Sequence, residues 1–256
     1  MEKLVEVVRS LEKMSARYIV AGRMSNVLFK NGAYNGVIIK TSKIDRNKAA
    51  ENEITLSCGS GFAKIIRQMA CNDLGGMEGL AGIPGTVGGM VKQNAGAFGY
   101  EVSDRFKKAV CYDPERDEIC NFSKSDMKFG YRDSILKKSK LILLNATFEM
   151  TSESFQTVID RIDNFAMLRK KTQPVEYPSL GSVFERYDGV SAGYYIDKAG
   201  LKGTRIGGAC ISEKHAGFIV NEWGATSDDY LRLINLIKCK VYTLFGIELK
   251  EEIEII

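Results

Sequence analysis

The chain has 256 residues, 45% hydrophobic and 27% charged, and its 36 basic and 32 acidic side chains leave a net charge of +4. Length and balance describe an ordinary globular protein of one or two domains, without the one-sided basic surface of a dedicated nucleic-acid binder. Its single histidine, His215, excludes an HExxH zinc helix, a C2H2 finger and any multi-histidine cage, so no metal is expected.

The opening stretch MEKLVEVVRSLEKM carries charges every few positions, which argues against a secretory segment. Leu4, Val7, Val8 and Leu11 fall at i, i+3, i+4, i+7 and predict an amphipathic helix there. Tyr18-Ile19-Val20 reads as a strand entering the turn Gly22-Arg23-Met24-Ser25-Asn26; Val37–Ile39 and Ile54–Leu56 are further short strands. Ser60 is placed to cap a helix whose apolar face is Phe62, Ile65, Ile66 and Met69, with Gly75-Gly76 as its stop. From Gly75 to Gly99 there are nine glycines, a density that predicts tight turns and close approaches and argues against a helix interior. A strand over Leu141–Met150 precedes a helix bearing Phe155, Val158, Ile159 and Ile162, and a loop-rich stretch runs from Gln173 to Gly193. Thr226 and Asp229 form a capping box for a last helix, which carries Tyr230, Leu233, Ile234, Ile237, Val241 and Leu244 and stops at Gly246. Ile247–Ile256 alternates apolar and charged residues, as a strand exposed on one side does. No run approaches the roughly 20 apolar residues of a membrane span. Six cysteines without CxxC spacing read as reduced, mostly buried thiols, so cytoplasmic residence is expected.

Four segments can carry chemistry. Gly75–Gly99 can cradle an anion such as a pyrophosphate with its backbone N–H groups, or serve as a plain structural loop; it contains neither a P-loop nor a dinucleotide fingerprint. In Phe129-Gly130-Tyr131-Arg132-Asp133-Ser134 the arginine can clamp a carboxylate or phosphate, although taken by itself the segment is better explained by a surface Arg-Asp pair. Tyr177-Pro178-Ser179-Leu180-Gly181-Ser182-Val183-Phe184 presents either a ligand-facing hydroxyl or an ordinary turn serine, and it is not a GxSxG elbow. Glu252 shares a face with Glu248, Lys250 and Glu254, and that face can be a solvated one; His215 is a ligand contact or a loop residue. The short basic clusters at 107–108, 137–138 and 169–171 are expected to face solvent.

Taken in order, GIPGTVGG, QNAGAFG, YRDS, PSLGSVF, the long stretch from Ile196 to Asn221 and the closing ELKEEIEII make the chain resemble, nearly end to end, the UDP-N-acetylenolpyruvoylglucosamine reductase (UDP-N-acetylmuramate dehydrogenase) family. The spacing between Arg132 and Ser182 is similar to the shorter of its two subclasses. The resemblance implies an α+β fold: an FAD-binding vanillyl-alcohol-oxidase/PCMH-type domain of two subdomains and a C-terminal α/β substrate-binding lobe. In this chain it places the first subdomain at 1–43, the second at 44–175, the substrate lobe at 176–246, and a closing strand returning to the FAD domain at 247–256.

The resemblance further implies that hydride passes from NADPH through FAD to C3 of the enolpyruvyl group of UDP-N-acetylglucosamine enolpyruvate. Ser182 then protonates C2, while Arg132 and Glu252 bind and polarise the substrate carboxylate. Gly22, Ser25 and Asn26 are assigned to FAD, with Gly82, Ile83, Pro84, Gly85, Thr86, Gly88 and Gly89. Asn94, Tyr131 and His215 are assigned to the substrate. No nucleic acid or membrane partner is implied, and the chain is expected to be a monomer. Three departures stand out: the family's opening strand is not in this chain, Met24 stands where the family has glycine, and Glu254 where it commonly has a basic residue. They support a second reading, a flavin-poor or inactive relative binding UDP-sugar as a regulator. A different oxidase of the same flavin fold is a third reading, opposed by the GSVF and KHAGF segments.

Overall fold

Helix α1 (Glu2–Lys13) forms where the apolar spacing predicts it, but the buried residues are Leu4, Val5 and Val8 while Val7 is exposed. The face is therefore turned about a quarter of the helix away from Val7, at roughly 100° per residue. In the computed structural model, which describes residues 1–256, β1 (Tyr18–Ala21), β2 (Val27–Leu28), β3 (Val37–Lys40), β4 (Lys48–Ala50) and β5 (Glu53–Ser57) follow. Helix α2 (Phe62–Ala70) buries Phe62, Ile65, Ile66 and Met69 as expected. Its N-cap is Gly61, however, and Ser60 is not the cap: the Ser60 hydroxyl lies 2.7 Å from Asp45 Oδ1 and from Asn47 Oδ1.

After β6 (Leu74–Gly75), the glycine-rich stretch holds a short helix, α3 (Val87–Lys92), which corrects the expectation of no helix there. The physical reason lies at Gly88. Its N–H donates to Cys58 O at 2.7 Å, and a Cβ would sit 3.1 Å from that same oxygen, so glycine lets the helix press against the segment at Cys58. Then come β7 (Gly96–Ala97), β8 (Tyr100–Glu101), α4 (Val102–Arg105), β9 (Phe106–Asp113), β10 (Glu118–Ser123), β11 (Ile142–Glu149), β12 (Thr151–Ser152) and α5 (Phe155–Thr172). The remaining elements are β13 (Ser179–Ser182), α6 (Ala192–Lys198), β14 (Arg205–Ile206), β15 (Ala209–Ile211), β16 (Phe218–Asn221), α7 (Ser227–Phe245) and β17 (Glu254–Ile255).

The chain divides into two packing units, Met1–Arg23 with Asn35–Met167, and Met24–Tyr34 with Leu168–Ile256. The first is built on an antiparallel sheet ordered β10-β9-β11-β5-β4, with β1 and β3 paired in parallel beside it. Central β11 is buried along almost its whole length, and its apolar residues pack with those of α1, α2 and α3 in one core. The second unit has its own core and an antiparallel sheet ordered β13-β16-β15-β14. Helix α7 lays Tyr230, Leu233, Ile234, Ile237 and Val241 onto that core, opens with the Thr226–Asp229 capping box and ends at Gly246.

The closing segment keeps its alternation, burying Ile247, Leu249 and Ile253, but only Glu254–Ile255 is paired as a strand. The reason is a change of partner. Glu185 N donates to Lys250 O and Glu252 N to Val183 O; two residues on, Glu254 N donates to Asn26 O and β17 joins β2. No helix is long and apolar enough to cross a membrane.

Candidate functional site

In the first unit the segment from Gly82 to Gly89 runs beside residues 58–62. Phe62 N donates to Gly85 O, Val87 N to Ser60 O and Gly88 N to Cys58 O, and Gly61 pairs with Thr86 in an isolated antiparallel bridge. Burial holds the Cys58 thiol up at about 11, so it sits beneath the loop as an inert apolar group. Gly82, Pro84 and Gly89 are exposed, Ile83 and Gly88 partly so, and Gly85 and Thr86 are buried. Thr86 is only 1% exposed and its Oγ1 has no hydrogen-bond partner. Gly22 packs directly on that hydroxyl, and a Cβ at position 22 would overlap it. A buried hydroxyl without a partner is rare in a folded chain and marks a place where another group completes the bonding.

The same unit holds Arg132 in a tight hairpin. Gly130 N donates to Asp133 O at 3.0 Å and Asp133 N to Gly130 O at 3.2 Å, which leaves Tyr131 and Arg132 at the corners. Arg132 has φ +52, in the left-handed region, and its guanidinium lies over the Tyr131 ring at 5.0 Å and donates from Nη2 to Gly96 O at 2.8 Å. Lys137 Nζ donates to Arg132 O, and Ser134 Oγ to Lys92 O.

Asn94, expected at the substrate, holds this hairpin. It is 1% exposed; Nδ2 donates to Gly130 O at 2.9 Å and Glu101 Oε2 at 3.0 Å, while Oδ1 accepts from Ser103 N at 2.9 Å. With both amide hydrogens committed to the protein, its role is to position Arg132.

The second unit carries Ser25, Asn26, Ser182, His215 and Glu252. Ser182 ends β13 opposite Phe218, after Gly181 at φ +78, and the pairing slips between 179 and 182. Glu252 N donates to Val183 O at 2.8 Å, so the main chains of Ser182 and Glu252 lie one residue apart across a backbone bond. Asn26 Nδ2 donates to Glu252 O at 3.2 Å, and Asn26 O accepts from Glu254 N. Asn26, assigned to FAD from the resemblance, clamps the closing segment that carries Glu252. Met24 has φ +57, in the left-handed region that favours glycine.

His215 lies edge-on to Phe218, and its Nδ1 accepts from Gly217 N at 3.1 Å. Burial lowers its pKa, so the imidazole is neutral with its proton on Nε2. The loop role accounts for every contact it makes.

Sequence inspection missed three groups that organise these sites: Gly96 as the acceptor for Arg132, Glu101 as the acceptor for Asn94, and Arg23, whose guanidinium lies against Gly61. Carbonyl acceptors have no side-chain signature; Arg23 was legible only as a basic residue inside the Gly22–Asn26 turn.

Comparison with known proteins gives a consistent picture. Residues 173–256 match the model of the UDP-N-acetylenolpyruvoylglucosamine reductase C-terminal domain, and residues 1–115 match an FAD binding domain. A UDP-N-acetylenolpyruvoylglucosamine reductase of Caldicellulosiruptor saccharolyticus is 42% identical over 257 residues, covering 100% of this chain and 83% of its own length. One from Clostridium perfringens is 38% identical over 255 residues, with 100% and 84% covered. The crystal structure of the Thermus caldophilus reductase superposes with a TM-score of 0.81 at 30% identity, covering 96% of this chain and 89% of that one.

Proposed function

This chain belongs to the UDP-N-acetylenolpyruvoylglucosamine reductase family, and from that premise we infer how its residues divide the work. It is an FAD-dependent oxidoreductase that uses NADPH to reduce UDP-N-acetylglucosamine enolpyruvate to UDP-N-acetylmuramate in peptidoglycan synthesis. Bound FAD supplies the hydride relay from NADPH to C3 of the enolpyruvyl group. The first unit fits that cofactor: the glycine loop, the partnerless Thr86 hydroxyl and the Cβ-free surface of Gly22 form a cradle for a diphosphate. Gly22 and residues 82–89 hold it in our proposal, with Ser25 contributing from the Gly22–Asn26 turn.

Hydride arriving at C3 leaves negative charge at C2 and on the adjoining carboxylate. Arg132 is the group for that charge, because its guanidinium is fixed by Gly96 O and its backbone by the Asn94 clasp, so little reorganisation is needed as charge develops. Tyr131 supports the guanidinium from below its plane and borders the substrate. Glu252 is the second group at the same charge; to stabilise it, Glu252 must donate a hydrogen bond, which requires its acid form. Ser182 delivers the proton to C2, a transfer a hydroxyl can make because the carbanion is far more basic than an alkoxide. The observation that carries this assignment is the bond from Glu252 N to Val183 O, which holds the serine and the glutamate on neighbouring main chains.

The lobes at 1–43, 44–175 and 176–246, closed by 247–256, are the functional division we attach to this chemistry. Cytoplasmic residence and a monomeric state belong to the same proposal, and six unpaired cysteines fit a reducing compartment.

The test is Ser182→Ala. NADPH should still bleach the flavin at the wild-type rate, while turnover of the enolpyruvyl substrate falls by roughly 10²–10⁴-fold. Equal loss of both half-reactions would remove Ser182 from the proton-transfer role.

A further inference from the structure

Beyond its contact with Gly61, Arg23 has no role in the assignments above. Its guanidinium rests on Gly61, with Nη2 2.9 Å and Cζ 3.6 Å from where a Cβ on that glycine would lie. Gly61 is the N-cap of α2, a nine-residue helix with no side-chain cap and no acidic residue in its first turn. A cation parked at the positive end of a helix dipole is unfavourable unless an anion joins them. Asp45, bonded to the residue before Gly61, is already engaged by Ser60 Oγ at 2.7 Å and Asn47 Nδ2 at 2.8 Å. Arg23 makes no hydrogen bond or ion pair of its own.

An exposed arginine without a partner is ordinary in itself. This one adjoins an independent signal: Gly61 pairs with Thr86, and the residue preceding Arg23, Gly22, covers the buried, partnerless Thr86 hydroxyl. One patch thus gathers a guanidinium, an uncapped helix start and a hydroxyl with nothing to bond. A doubly charged group with several acceptor oxygens would satisfy the guanidinium and the uncapped helix start together, beside the hydroxyl that Gly22 covers.

We propose that Arg23 anchors the diphosphate of FAD, acting with Thr86 across the Gly22–Gly61 surface, and that this chain relies on a side-chain charge for retaining its cofactor. The proposal rests on the reading that the first unit binds FAD. Arginine suits the role because its planar fork can bridge two phosphate oxygens.

The experiment titrates FAD into the deflavinated full-length chain, followed by quenching of flavin fluorescence, at low and at high ionic strength. Wild type, Arg23→Gln and Arg23→Lys are compared, with thermal melting of each apoprotein as the folding control. Arg23→Gln should weaken FAD binding by about tenfold or more at low salt. It should also flatten the salt dependence, since a charge–phosphate contact is screened and a neutral one is not. Arg23→Lys should restore part of the affinity and the salt dependence, and the apoprotein melting points should agree. Unchanged affinity and unchanged salt dependence in Arg23→Gln would overturn the proposal. A wild-type chain that takes up no FAD would fail earlier, at the cofactor assignment itself, and would take Arg23's role with it.

Discussion

Arg132 and Asn94 both adopt positive φ, +52 and +39, where side chains other than glycine are held only when their surroundings fix them. The residue types of the YRDS segment were legible as an anion clamp, but their partners were not. Arg132 bonds Gly96 and Asn94 bonds Gly130, each 36 positions away along the chain, and nothing local encodes such a pairing. Asn94→Ala should therefore strand the Ser103 N–H, leave Gly130 O with Asp133 N alone, and destabilise the protein by about 1–3 kcal/mol. Urea denaturation measures that loss, and kcat should drop with it as the Arg132 hairpin loosens. His215 gives a pH effect of definite sign. Its folded pKa is lowered by burial, so the neutral ring contributes stability that is complete above the ordinary value of ~6.5 and is lost as pH falls through the folded value. Melting temperature recorded from pH 8 down to pH 5 should fall more steeply for wild type than for His215→Gln; parallel curves would contradict a buried neutral imidazole.

At the scale of elements, apolar periodicity located the helices and strands well where burial follows a single face. It found α2, β11 and α7 because the residues expected inside are inside, apart from Leu244, which is exposed in the last turn of α7. It failed where tertiary contact overrides local preference. Helix α3 runs through Gly88 and Gly89, against propensity, because the close approach to Cys58 needs the missing Cβ. Ser60 reads as an N-cap, yet its hydroxyl is occupied by Asp45 and Asn47, and Gly61 takes the cap position. The Thr226–Asp229 box, by contrast, is local and was fully legible: Thr226 Oγ1 accepts from Asp229 N, and Asp229 Oδ2 from Thr226 N. Thr226→Ala should cost about 1 kcal/mol of stability, seen as a lower melting temperature with FAD affinity unchanged.

For the molecule as a whole, the ordered motifs identified the family, and its relatives match along the full chain. What the order of motifs did not convey is how the packing divides. Residues 24–34, which carry Ser25 and Asn26, pack with the C-terminal unit, because β2 pairs with β17 and Asn26 clamps the closing segment at Glu252. The turn after Gly22 thus carries residues expected at the cofactor into the unit that holds Ser182 and Glu252. The central claim, that this chain moves hydride from NADPH to the enolpyruvyl sugar nucleotide, is tested most directly by one anaerobic experiment. The FAD-loaded protein is bleached with one equivalent of NADPH and then mixed with UDP-N-acetylglucosamine enolpyruvate. The flavin colour should return as UDP-N-acetylmuramate forms in equal amount. Flavin that stays bleached in the presence of that substrate would contradict the account.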